Sequence, residues 1–370
     1  MKIAILGTRG IPANYGGFET FAEALSTRLV MRGHDVVVYG RSHHVPRSLA
    51  DYRGVRLVVL PTIRHKYLDT VVHTLISAVH VLGGRFDVVL VCNAANAFSC
   101  AIPRAAGARV VLNVDGIERK RKKWNAAGRA WYLLSERLAT WLPNAVVTDA
   151  DVIRAYYAAR YGCATTFIPY GCEVGRDAGT ATLERLGVEP EDYVLYVSRL
   201  EPENNADAVI LAFEQTAIAK KLVVVGDAPY ADDYKARLRQ LAGQRVVFAG
   251  GVYGEGYREL QSHAFAYVHA TEVGGTHPAL VESMGFGNCV LVNDVPENRE
   301  VAGDAGLYFK ASAPPTLARL LERLVSETGL LTRHRELARQ RAAGHYSWDA
   351  VTDAYLHLFE TLQPIKARRT

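Results

Sequence analysis

The sequence predicts an α/β fold in two similar halves, each a parallel sheet with helices on both faces. The chain has 370 residues, and about 150 residues are expected for each domain. Short apolar runs alternate with helical patterns through both halves, which is typical of a parallel sheet. The alternation begins again near Tyr193, after a polar and glycine-rich stretch at residues 171–182. We therefore expect two α/β domains joined by a linker in that stretch.

The first half opens as a strand, a glycine-rich loop, a helix and a second strand. Residues 3–6 are an apolar run, as in a strand buried on both faces, and residues 18–31 carry apolar side chains at helical spacing. Further strands are predicted at residues 36–39, 55–60, 88–91, 110–113 and 145–148, and helices at residues 67–82 and 130–141. We expect the β-α-β connections to be right-handed.

The second half repeats this pattern, with strands predicted at residues 193–197, 222–225, 246–248, 265–269 and 290–292. We place the first domain at residues 1–175 and the second at residues 176–345. An apolar stripe in residues 346–370 predicts a last helix that packs back on the first domain. Open α/β sheets bind ligands at the carboxyl ends of their strands, so we expect a ligand cleft between two facing domains.

Composition excludes several classes of protein. Hydrophobic residues make up 49% of the chain and charged residues 22%, which excludes a disordered chain or a fibre. Five cysteines without a C-x-x-C pair indicate neither a disulfide framework nor a structural zinc site. The formal net charge of +5 permits an anionic substrate or membrane surface without requiring nucleic acid. We see no signal peptide and no apolar stretch of ~18 residues, so we expect a cytoplasmic protein.

Three segments at predicted strand ends have the residues that hold an anion. Gly16 and Gly17 precede the first helix, where backbone N–H groups and the helix dipole attract negative charge, unless this is an ordinary turn. Arg199 follows the opening strand of the second half and can bind a phosphate bidentately, unless it only pairs with a glutamate two or four residues later. The Gly-Gly-Thr segment at residues 274–276 offers another nest of N–H donors before a helix.

Two further features carry unusual charge. Glu282 lies about two turns inside a largely apolar helix, where its carboxylate needs a partner such as sugar hydroxyls or an unidentified base. Five consecutive cations precede Trp124, namely Arg119, Lys120, Arg121, Lys122 and Lys123. That run is either a solvated face or a surface that attracts a diphosphate or an anionic bilayer. Motifs of zinc proteases, serine hydrolases and P-loop ATPases are absent from the sequence.

Taken together, these segments resemble the retaining glycosyltransferases of family 4, which have the GT-B architecture of two facing Rossmann-like domains with a cleft between them. Four stretches carry the likeness: GTRGIPANYGGFET at residues 7–20, NVDGIERKRKKW at residues 113–124, SRLEPENN at residues 198–205 and VGGTHPALVESM at residues 273–284. They look most like the rhamnosyltransferase-type subgroup. The likeness runs nearly end to end and implies a nucleoside-diphosphate sugar held mainly by the second domain.

The resemblance implies a role for each segment. Arg199 would neutralise the leaving diphosphate, and Asp115 would lie near the transferred sugar, where many relatives carry a histidine; we expect both to be catalytic. Glu282 would bind the ribose hydroxyls. Further donor contacts are implied for Gly16 and Gly17 at the diphosphate and sugar, for Gly274, Gly275 and Thr276 as N–H donors, and for Gly251, Val252 and Tyr253 beside the base.

The sequence departs from the wider family at two positions. Relatives have a lysine five residues after the arginine, where this chain has Asn204, so one cation at the diphosphate is missing and Arg9 is a candidate to replace it. Relatives also have a glutamate at the position of Gly274. That loss, and Asp115 in place of histidine, fit a donor other than ordinary glucose or mannose. We expect the deoxysugar donor dTDP-L-rhamnose.

The implied function is retaining transfer of a sugar from a nucleoside diphosphate to a saccharide acceptor in cell-surface polysaccharide synthesis. The acceptor is expected to be linked to a polyprenyl diphosphate at the inner face of the plasma membrane, with residues 119–124 against lipid or acceptor phosphate. No metal or other cofactor is expected, because Arg199 and helix N-termini can supply the positive charge. Two alternatives stay open: a non-hydrolysing nucleotide-sugar epimerase, and a non-catalytic subunit that binds a sugar nucleotide.

Overall fold

The chain folds into two compact units in the computed structural model, which describes residues 1–14, 16–65, 68–121, 124–228 and 231–363. Unit 1 comprises the chain up to Lys120, residues 124–170 and the chain from Trp348 onward. Unit 2 comprises Arg121 and residues 171–347. The chain therefore leaves unit 1 at Tyr170 and returns to it at Trp348.

Unit 1 is built on an eight-stranded sheet in the order β3-β4-β2-β1-β5-β6-β7-β8. All neighbouring strands are parallel except β3 and β4, which are antiparallel. The strands are β1 (Lys2–Leu6), β2 (Asp35–Arg41), β3 (Asp51–Tyr52), β4 (Val55–Leu60), β5 (Val88–Cys92), β6 (Arg109–Asn113), β7 (Ala145–Thr148) and β8 (Thr166–Phe167). Because parallel strands are covered on both faces, the central ones are continuous apolar runs, as the sequence predicts.

The helices of unit 1 lie in two layers, one on each face of the sheet. They are α1 (Gly17–Met31), α2 (Asp69–His80), α3 (Ala101–Ala105), α4 (Ala126–Ala139), α5 (Asp151–Tyr161) and α14 (Trp348–Leu362). Ile3 and Ile5 of β1 share a core with α1 and α14, whereas Ala4 and Leu6 share a core with α2, α4 and α5. Successive residues of a strand face opposite sides of the sheet. The helices that contact Ile3 and Ile5 therefore lie on one side, and those that contact Ala4 and Leu6 lie on the other.

The helix α14 packs within unit 1 against α1. The rings of Tyr355 and Phe21 lie 5.4 Å apart. The amide of Asn113, at the end of β6, donates a 2.9 Å hydrogen bond to the Tyr355 hydroxyl. Both side chains are buried, so this bond satisfies two polar groups that would otherwise lose their hydration.

Unit 2 has a six-stranded, all-parallel sheet in the order β11-β10-β9-β12-β13-β14. Its strands are β9 (Tyr193–Val197), β10 (Lys221–Val225), β11 (Val246–Gly250), β12 (Ala266–His269), β13 (Val290–Asn293) and β14 (Gly306–Phe309). The first five agree with the predicted strands to within two residues. The sequence did not predict β14, because this edge strand is four residues long and begins with glycine.

Eight helices of unit 2 cover the two faces of this sheet. They are α6 (Ala181–Leu186), α7 (Ala206–Glu214), α8 (Asp232–Leu241), α9 (Gly254–Ser262), α10 (Pro278–Gly285), α11 (Pro296–Ala302), α12 (Pro315–Ser326) and α13 (Thr328–His345). Val194 and Tyr196 of β9 pack with α7 and α12, while Tyr193 and Leu195 pack with α9, α10 and α13. Among the described residues, none of the helices combines the length and apolar character that crossing a membrane requires.

Candidate functional site

In unit 2, several predicted site residues follow the carboxyl ends of strands of the one parallel sheet. Arg199 comes directly after β9, the segment from Gly274 to Thr276 follows β12, and Tyr253 follows β11. Because β9 lies beside β12 in a parallel sheet, Arg199 and the Gly-Gly-Thr segment occupy the same edge. This edge is where open α/β sheets hold their ligands.

Arg199 is the partly exposed cation of this edge. Its side chain has 32% of its surface exposed, and its Nη2 atom lies 3.9 Å from Oε2 of Glu201. That distance exceeds a hydrogen bond, so the pair is a loose electrostatic contact that leaves the guanidinium able to bind an anion. Arg199 therefore has both the predicted position and the exposure to meet a phosphate.

Asn204, which stands where relatives have a lysine and is a predicted donor contact, has a structural task. Its side chain is buried, and its amide nitrogen donates a 2.7 Å hydrogen bond to the backbone carbonyl of Arg199. The backbone carbonyl of Asn204 accepts a 2.7 Å bond from the Tyr196 hydroxyl. Through this bond Asn204 shapes the loop that presents Arg199, and its predicted contact with the donor stays a prediction.

Among the described residues of the cation run, Arg119 and Arg121 lie beside carboxylates. Arg119 lies 3.1 Å from Glu136 and donates a 2.7 Å hydrogen bond to the Tyr156 hydroxyl. Lys120 is exposed, and Trp124 packs beside Tyr132 with ring centroids 5.2 Å apart. Lys122 and Lys123 lie outside the described residues. Arg119 keeps 26% of its side-chain surface exposed and Arg121 only 7%, so Arg121 offers little surface to a bilayer. Contact of the run with lipid or acceptor phosphate stays a prediction.

Arg121 lies buried in unit 2, beside the glutamate that precedes Asn204. Its Nη1 atom is 3.9 Å from Oε1 of Glu203, and the two side chains have 7% and 0% of their surfaces exposed. In the part of the chain that the structure describes, neither oxygen of Glu203 accepts a hydrogen bond. A fully buried carboxylate is costly without a cation, so Arg121 compensates Glu203 electrostatically.

The Gly-Gly-Thr segment is buried and packs on a histidine that sequence reasoning did not select. A Cβ at Gly274 would come within 2.3 Å of the His277 ring, so a side chain there would require the ring to move. Burial, then His269, then the guanidinium groups of Arg121 and Arg199 hold the pKa of His277 well below its usual range. His277 is therefore neutral near pH 7, and both arginines lie close enough to act on it.

Glu282 is held by a chain of hydrogen bonds inside unit 2. The Tyr257 hydroxyl donates to Glu282 Oε2 at 2.7 Å, and the Gln261 amide donates to Tyr257 at 2.9 Å. Asn288 in turn donates to the Gln261 side chain at 3.1 Å. Burial raises the pKa of Glu282 to about 7, although the bond from Tyr257 opposes that rise. A carboxylate of this kind gains stabilisation from any ligand that donates hydrogen bonds to it.

A cavity of about 380 Å³ lies beside β11 and α6. Gly251, Val252 and Tyr253 line it on one side, together with Thr182 and Arg185 of α6. Tyr253 is half exposed and forms part of the wall. The lining is mostly polar, so it offers hydrogen-bonding groups to the polar edges of a heterocycle.

In unit 1, Gly16 and Gly17 form the start of α1, as the sequence predicts. Gly16 is extended, with φ of −160°, and caps the helix whose first residue is Gly17. Glu19 in the first turn accepts a 2.9 Å hydrogen bond from the backbone N–H of Arg9. The carboxylate of Glu19 partly neutralises this helix N-terminus, which limits its attraction for a second anion.

Asp115 sits just beyond β6 in a strained backbone conformation. Its φ is +56°, and its backbone N–H bonds to the Asn113 side chain at 3.1 Å. A left-handed conformation at a residue with a side chain costs of order 1 kcal/mol and is concentrated at functional sites. The strain therefore favours a functional role for Asp115, at the carboxyl edge of the unit 1 sheet.

A group of possible metal ligands lies elsewhere in unit 1. His43, His44 and Asp69 have ligand atoms within 4.8 Å of one another. Arg41 donates a 2.6 Å hydrogen bond to Asp69, and burial together with Arg9, His43 and Arg41 lowers the pKa of His44 to about 4. The surrounding positive charge opposes binding of a cation there.

Two family models match the chain in succession. The glycosyl transferase 4-like domain matches residues 16–171, and the model for glycosyl transferases group 1 matches residues 183–341. The chain belongs to glycosyltransferase family 4. The matches divide this glycosyltransferase between residues 171 and 183, within the stretch predicted as the linker.

Solved structures with the same architecture cover nearly all of the glycosyltransferase. HepE of Anabaena in complex with UDP and glucose has a TM-score of 0.82 at 18% identity over 98% of this chain and 100% of that one. Sucrose-phosphate synthase of Thermosynechococcus elongatus has 0.80 at 17% over 98% of each chain. WaaG, a glycosyltransferase involved in lipopolysaccharide biosynthesis, has 0.73 at 17% over 95% and 99%. These likenesses confirm the predicted GT-B fold.

A curated relative comes from Campylobacter jejuni subsp. jejuni serotype O:2. It is N-acetylgalactosamine-N,N'-diacetylbacillosaminyl-diphospho-undecaprenol 4-alpha-N-acetylgalactosaminyltransferase. The two sequences are 22% identical over 220 residues, which is 59% of each chain. The matched region thus spans a little over half the length of that relative.

Sequence reasoning missed several residues of the unit 2 site. Tyr257 and His277 contact selected residues, but a lone tyrosine or histidine carries no pattern that marks it. Arg121 was assigned to a membrane surface because its neighbours are all cations. Thr182 and Arg185 fell in or near the predicted linker, so no motif drew attention to them.

Proposed function

We propose that this chain is a retaining glycosyltransferase that moves L-rhamnose from dTDP-L-rhamnose to a lipid-linked saccharide in cell-surface polysaccharide synthesis. The observation that carries the transferase proposal is the edge of the unit 2 sheet. There Arg199 and the Gly-Gly-Thr segment follow the neighbouring strands β9 and β12, and the cavity beside Tyr253 follows β11, two strands away from β9 in the same sheet. A cation, a nest of N–H donors and a cavity for a base are the parts that a nucleoside diphosphate needs.

The chemistry follows from these groups. The anomeric C–O bond breaks, and its electron pair goes to the diphosphate oxygen, leaving an oxocarbenium-like carbon. Arg199 and the N–H donors of residues 274–276 stabilise the charge that grows on the diphosphate. The acceptor hydroxyl attacks from the leaving-group side and passes its proton to the diphosphate oxygen, so the anomeric configuration is retained. Asp115 contacts the transferred sugar.

The sugar and the acceptor are supported by different observations. Gly274 stands where relatives have a glutamate that would bind hexose hydroxyls, and the His277 ring occupies the space that a side chain would take. A deoxysugar offers fewer hydroxyls and so needs fewer acceptors at this position. The name of the Campylobacter relative includes a diphospho-undecaprenol acceptor, which supports a lipid-linked acceptor here.

A thermal-shift panel tests the donor, because a ligand selective for the folded state raises the melting temperature. We expect dTDP-L-rhamnose to give a larger shift than UDP-glucose or GDP-mannose. The same donor, incubated without acceptor, should show only slow release of dTDP. Conversion to a different sugar nucleotide would instead identify an epimerase. Binding without turnover on any saccharide acceptor would identify a non-catalytic subunit. A shift with hexose donors alone would contradict rhamnose.

Arg121 is our candidate for the second cation at the diphosphate, in place of the lysine that Asn204 replaces. It is buried in the same unit as Arg199, and both arginines act on His277 beside the Gly-Gly-Thr segment. Glu203, at 3.9 Å, attracts Arg121 electrostatically without a hydrogen bond between Nη1 and Oε1. Arg9, which lies in unit 1, stays an alternative candidate for this cation.

The variant Arg121→Gln should therefore weaken binding of dTDP by about tenfold, since a charge-assisted hydrogen bond is lost. Binding of thymidine, which has no diphosphate, should be unchanged in the same calorimetric titration. Arg121→Lys should recover part of the loss. Arg237→Gln is a matched control in unit 2, because Arg237 on α8 is exposed and pairs with Asp207 on α7. An equal loss of dTDP and thymidine binding would show that Arg121 is only structural.

A further inference from the structure

Helix α2 buries polar side chains and exposes apolar ones, which is the reverse of an ordinary surface helix. Its buried face contains a histidine, two hydroxyl residues and an alanine: His73, Thr74, Ser77 and Ala78. Leu75, Ile76 and Val79 are exposed, and Val79 has 54% of its surface open. A helix at a water-facing surface normally buries its apolar stripe and exposes its charges.

The inverted arrangement is fixed by hydrogen bonds inside unit 1. His73 Nε2 lies 3.0 Å from the backbone carbonyl of Gly40, and the Ser77 hydroxyl donates to the carbonyl of His73 at 2.8 Å. The Thr74 hydroxyl donates to the carbonyl of Thr70 at 2.8 Å. Rotating the helix to bury its leucine and isoleucine would break the bond to Gly40 and expose a well-packed alanine, so the apolar side is held outward.

Helix α4 adds a second apolar strip on the same side of the sheet. Leu133 and Leu134 are exposed, and so is Trp141 just after the helix, with 62% of its surface open. Both α2 and α4 contribute to the core on that side and pack on the 3₁₀ segment Ala94–Cys100 between them. We call the exposed side chains of these two helices and their ends the apolar face: Leu75, Ile76, Val79, Leu82, Leu133, Leu134 and Trp141.

Exposed large apolar side chains are concentrated here. Among the described residues fourteen are exposed, and nine of them fall between Ile63 and Leu82 or between Leu133 and Trp141. Single exposed apolar residues are normal on any protein, but a cluster of this kind marks an interaction surface. The other five are scattered, and the most exposed of them is Met31 at the end of α1, on the opposite side of the sheet.

The charges around the apolar face are positive. Arg129 and Arg137 are exposed on α4, and the Arg137 guanidinium lies 5.3 Å from the centre of the Trp141 ring. The acidic residues of the two helices are both occupied inside the protein: Asp69 pairs with Arg41 at 2.6 Å and Glu136 pairs with Arg119 at 3.1 Å. The two helices therefore offer exposed cations and no exposed carboxylate.

We propose that the apolar face of unit 1 lies on an anionic phospholipid bilayer. Apolar side chains enter the acyl boundary, Trp141 sits at headgroup depth, and the arginines meet lipid phosphates. A second copy of the chain fits less well, because a two-fold interface through this face would bring its arginines towards one another. The proposal extends the lipid-linked acceptor of the proposed function, and it moves the membrane contact from residues 119–123 to α2 and α4.

Vesicle sedimentation tests the proposal without any turnover. Wild-type protein should sediment with vesicles of phosphatidylglycerol and phosphatidylcholine, and much less with phosphatidylcholine alone. The double variant Leu75→Ser/Val79→Ser should lower the partition coefficient by about tenfold or more, since buried apolar area drives insertion. The same is expected of Leu133→Ser/Leu134→Ser. Arg137→Gln should weaken binding only to the anionic vesicles.

Met31→Ser is the matched control, because Met31 is more exposed than any of these residues but lies on the other side of the sheet. All variants replace exposed side chains and should keep the wild-type melting temperature. Unchanged vesicle binding in both double variants would overturn the proposal. The proposal would also be overturned if the wild type formed a stable dimer without binding vesicles, and if that dimer dissociated in the double variants. Nucleotide binding by unit 2 is measured separately, so its failure would concern the proposed function alone.

Discussion

Replacing Arg199 with alanine should lower kcat for cleavage of the donor by about 10²–10³-fold, the loss expected when one group that stabilises a developing charge is removed. Arg199 is the partly exposed cation at the end of β9, and its contact with Glu201 at 3.9 Å is too loose to hold it away from a ligand. Charge on the diphosphate grows as the anomeric bond breaks, so the loss should fall mainly on kcat. Release of nucleoside diphosphate from the donor with the largest thermal shift measures it.

The controls for Arg199 separate charge from folding. Arg199→Lys keeps the charge without bidentate geometry, so we expect an intermediate rate. Arg237→Ala removes an exposed arginine of the same unit and should leave kcat unchanged. The melting temperature of Arg199→Ala should stay close to wild type, because the side chain is a third exposed. A kcat within threefold of wild type would remove Arg199 from the catalytic machinery.

Glu282→Gln should weaken binding of a nucleoside by tenfold or more, since hydrogen bonds from ribose hydroxyls to a carboxylate are charge-assisted. The bond from Tyr257 occupies one carboxylate oxygen, so a ligand meets a group whose position is already fixed. Calorimetric titration with thymidine measures the loss. Because glutamine keeps the shape of the side chain, the change reports charge rather than packing.

The pH dependence of binding follows from the raised pKa of Glu282, about 7 in the free protein. Hydrogen-bond donors from ribose favour the carboxylate, so the ligand binds the deprotonated form. Below pH 7 the carboxyl must first lose its proton, and affinity should rise about tenfold from pH 6 to pH 8. Thymidine is the appropriate ligand, because a diphosphate itself titrates near pH 6. The Glu282→Gln variant should show no such rise.

Stability should respond in the opposite direction. The folded protein keeps the Glu282 proton up to about pH 7, whereas the unfolded chain loses it above about pH 4.5. The folded state therefore binds more protons in that window, and its stability falls as the pH rises through it. At pH 8 Glu282→Gln should melt no lower than wild type. A lower melting temperature would mean that the carboxylate is structural, and that the loss of binding is indirect.

The fold could be predicted because its strands are buried on both faces. Tyr193–Val197 and Ala145–Thr148 are apolar runs bounded by polar residues, and the structure has strands at both places. The strand Gly306–Phe309 was not predicted, because an edge strand of four residues has too short an apolar run to be recognised in the sequence. Helix boundaries differ from the prediction where a capping residue sets the first turn. The Asn125 side chain accepts a hydrogen bond from the backbone N–H of Gly128, and α4 therefore begins four residues before the predicted helix.

The site could be predicted only where chemistry coincides with a local motif. Arg199 and the Gly-Gly-Thr segment stand at strand ends, where loops hold ligands, so a short stretch of sequence is enough to select them. Tyr257 contacts Glu282, and Arg121 contacts Glu203. In each pair the two residues are distant in sequence, so no local motif reveals the contact. Tertiary packing against the loop decides which of the five neighbouring cations is buried. Composition alone does not predict this.

A crystal structure with bound dTDP tests the central claim most directly, namely that unit 2 holds a nucleoside diphosphate at the carboxyl edge of its sheet. The account predicts the base in the cavity beside Gly251, Val252 and Tyr253, the ribose hydroxyls on Glu282, and the diphosphate on Arg199 and the Gly-Gly-Thr segment. Nucleotide bound at another place, or a diphosphate that avoids Arg199, would contradict it.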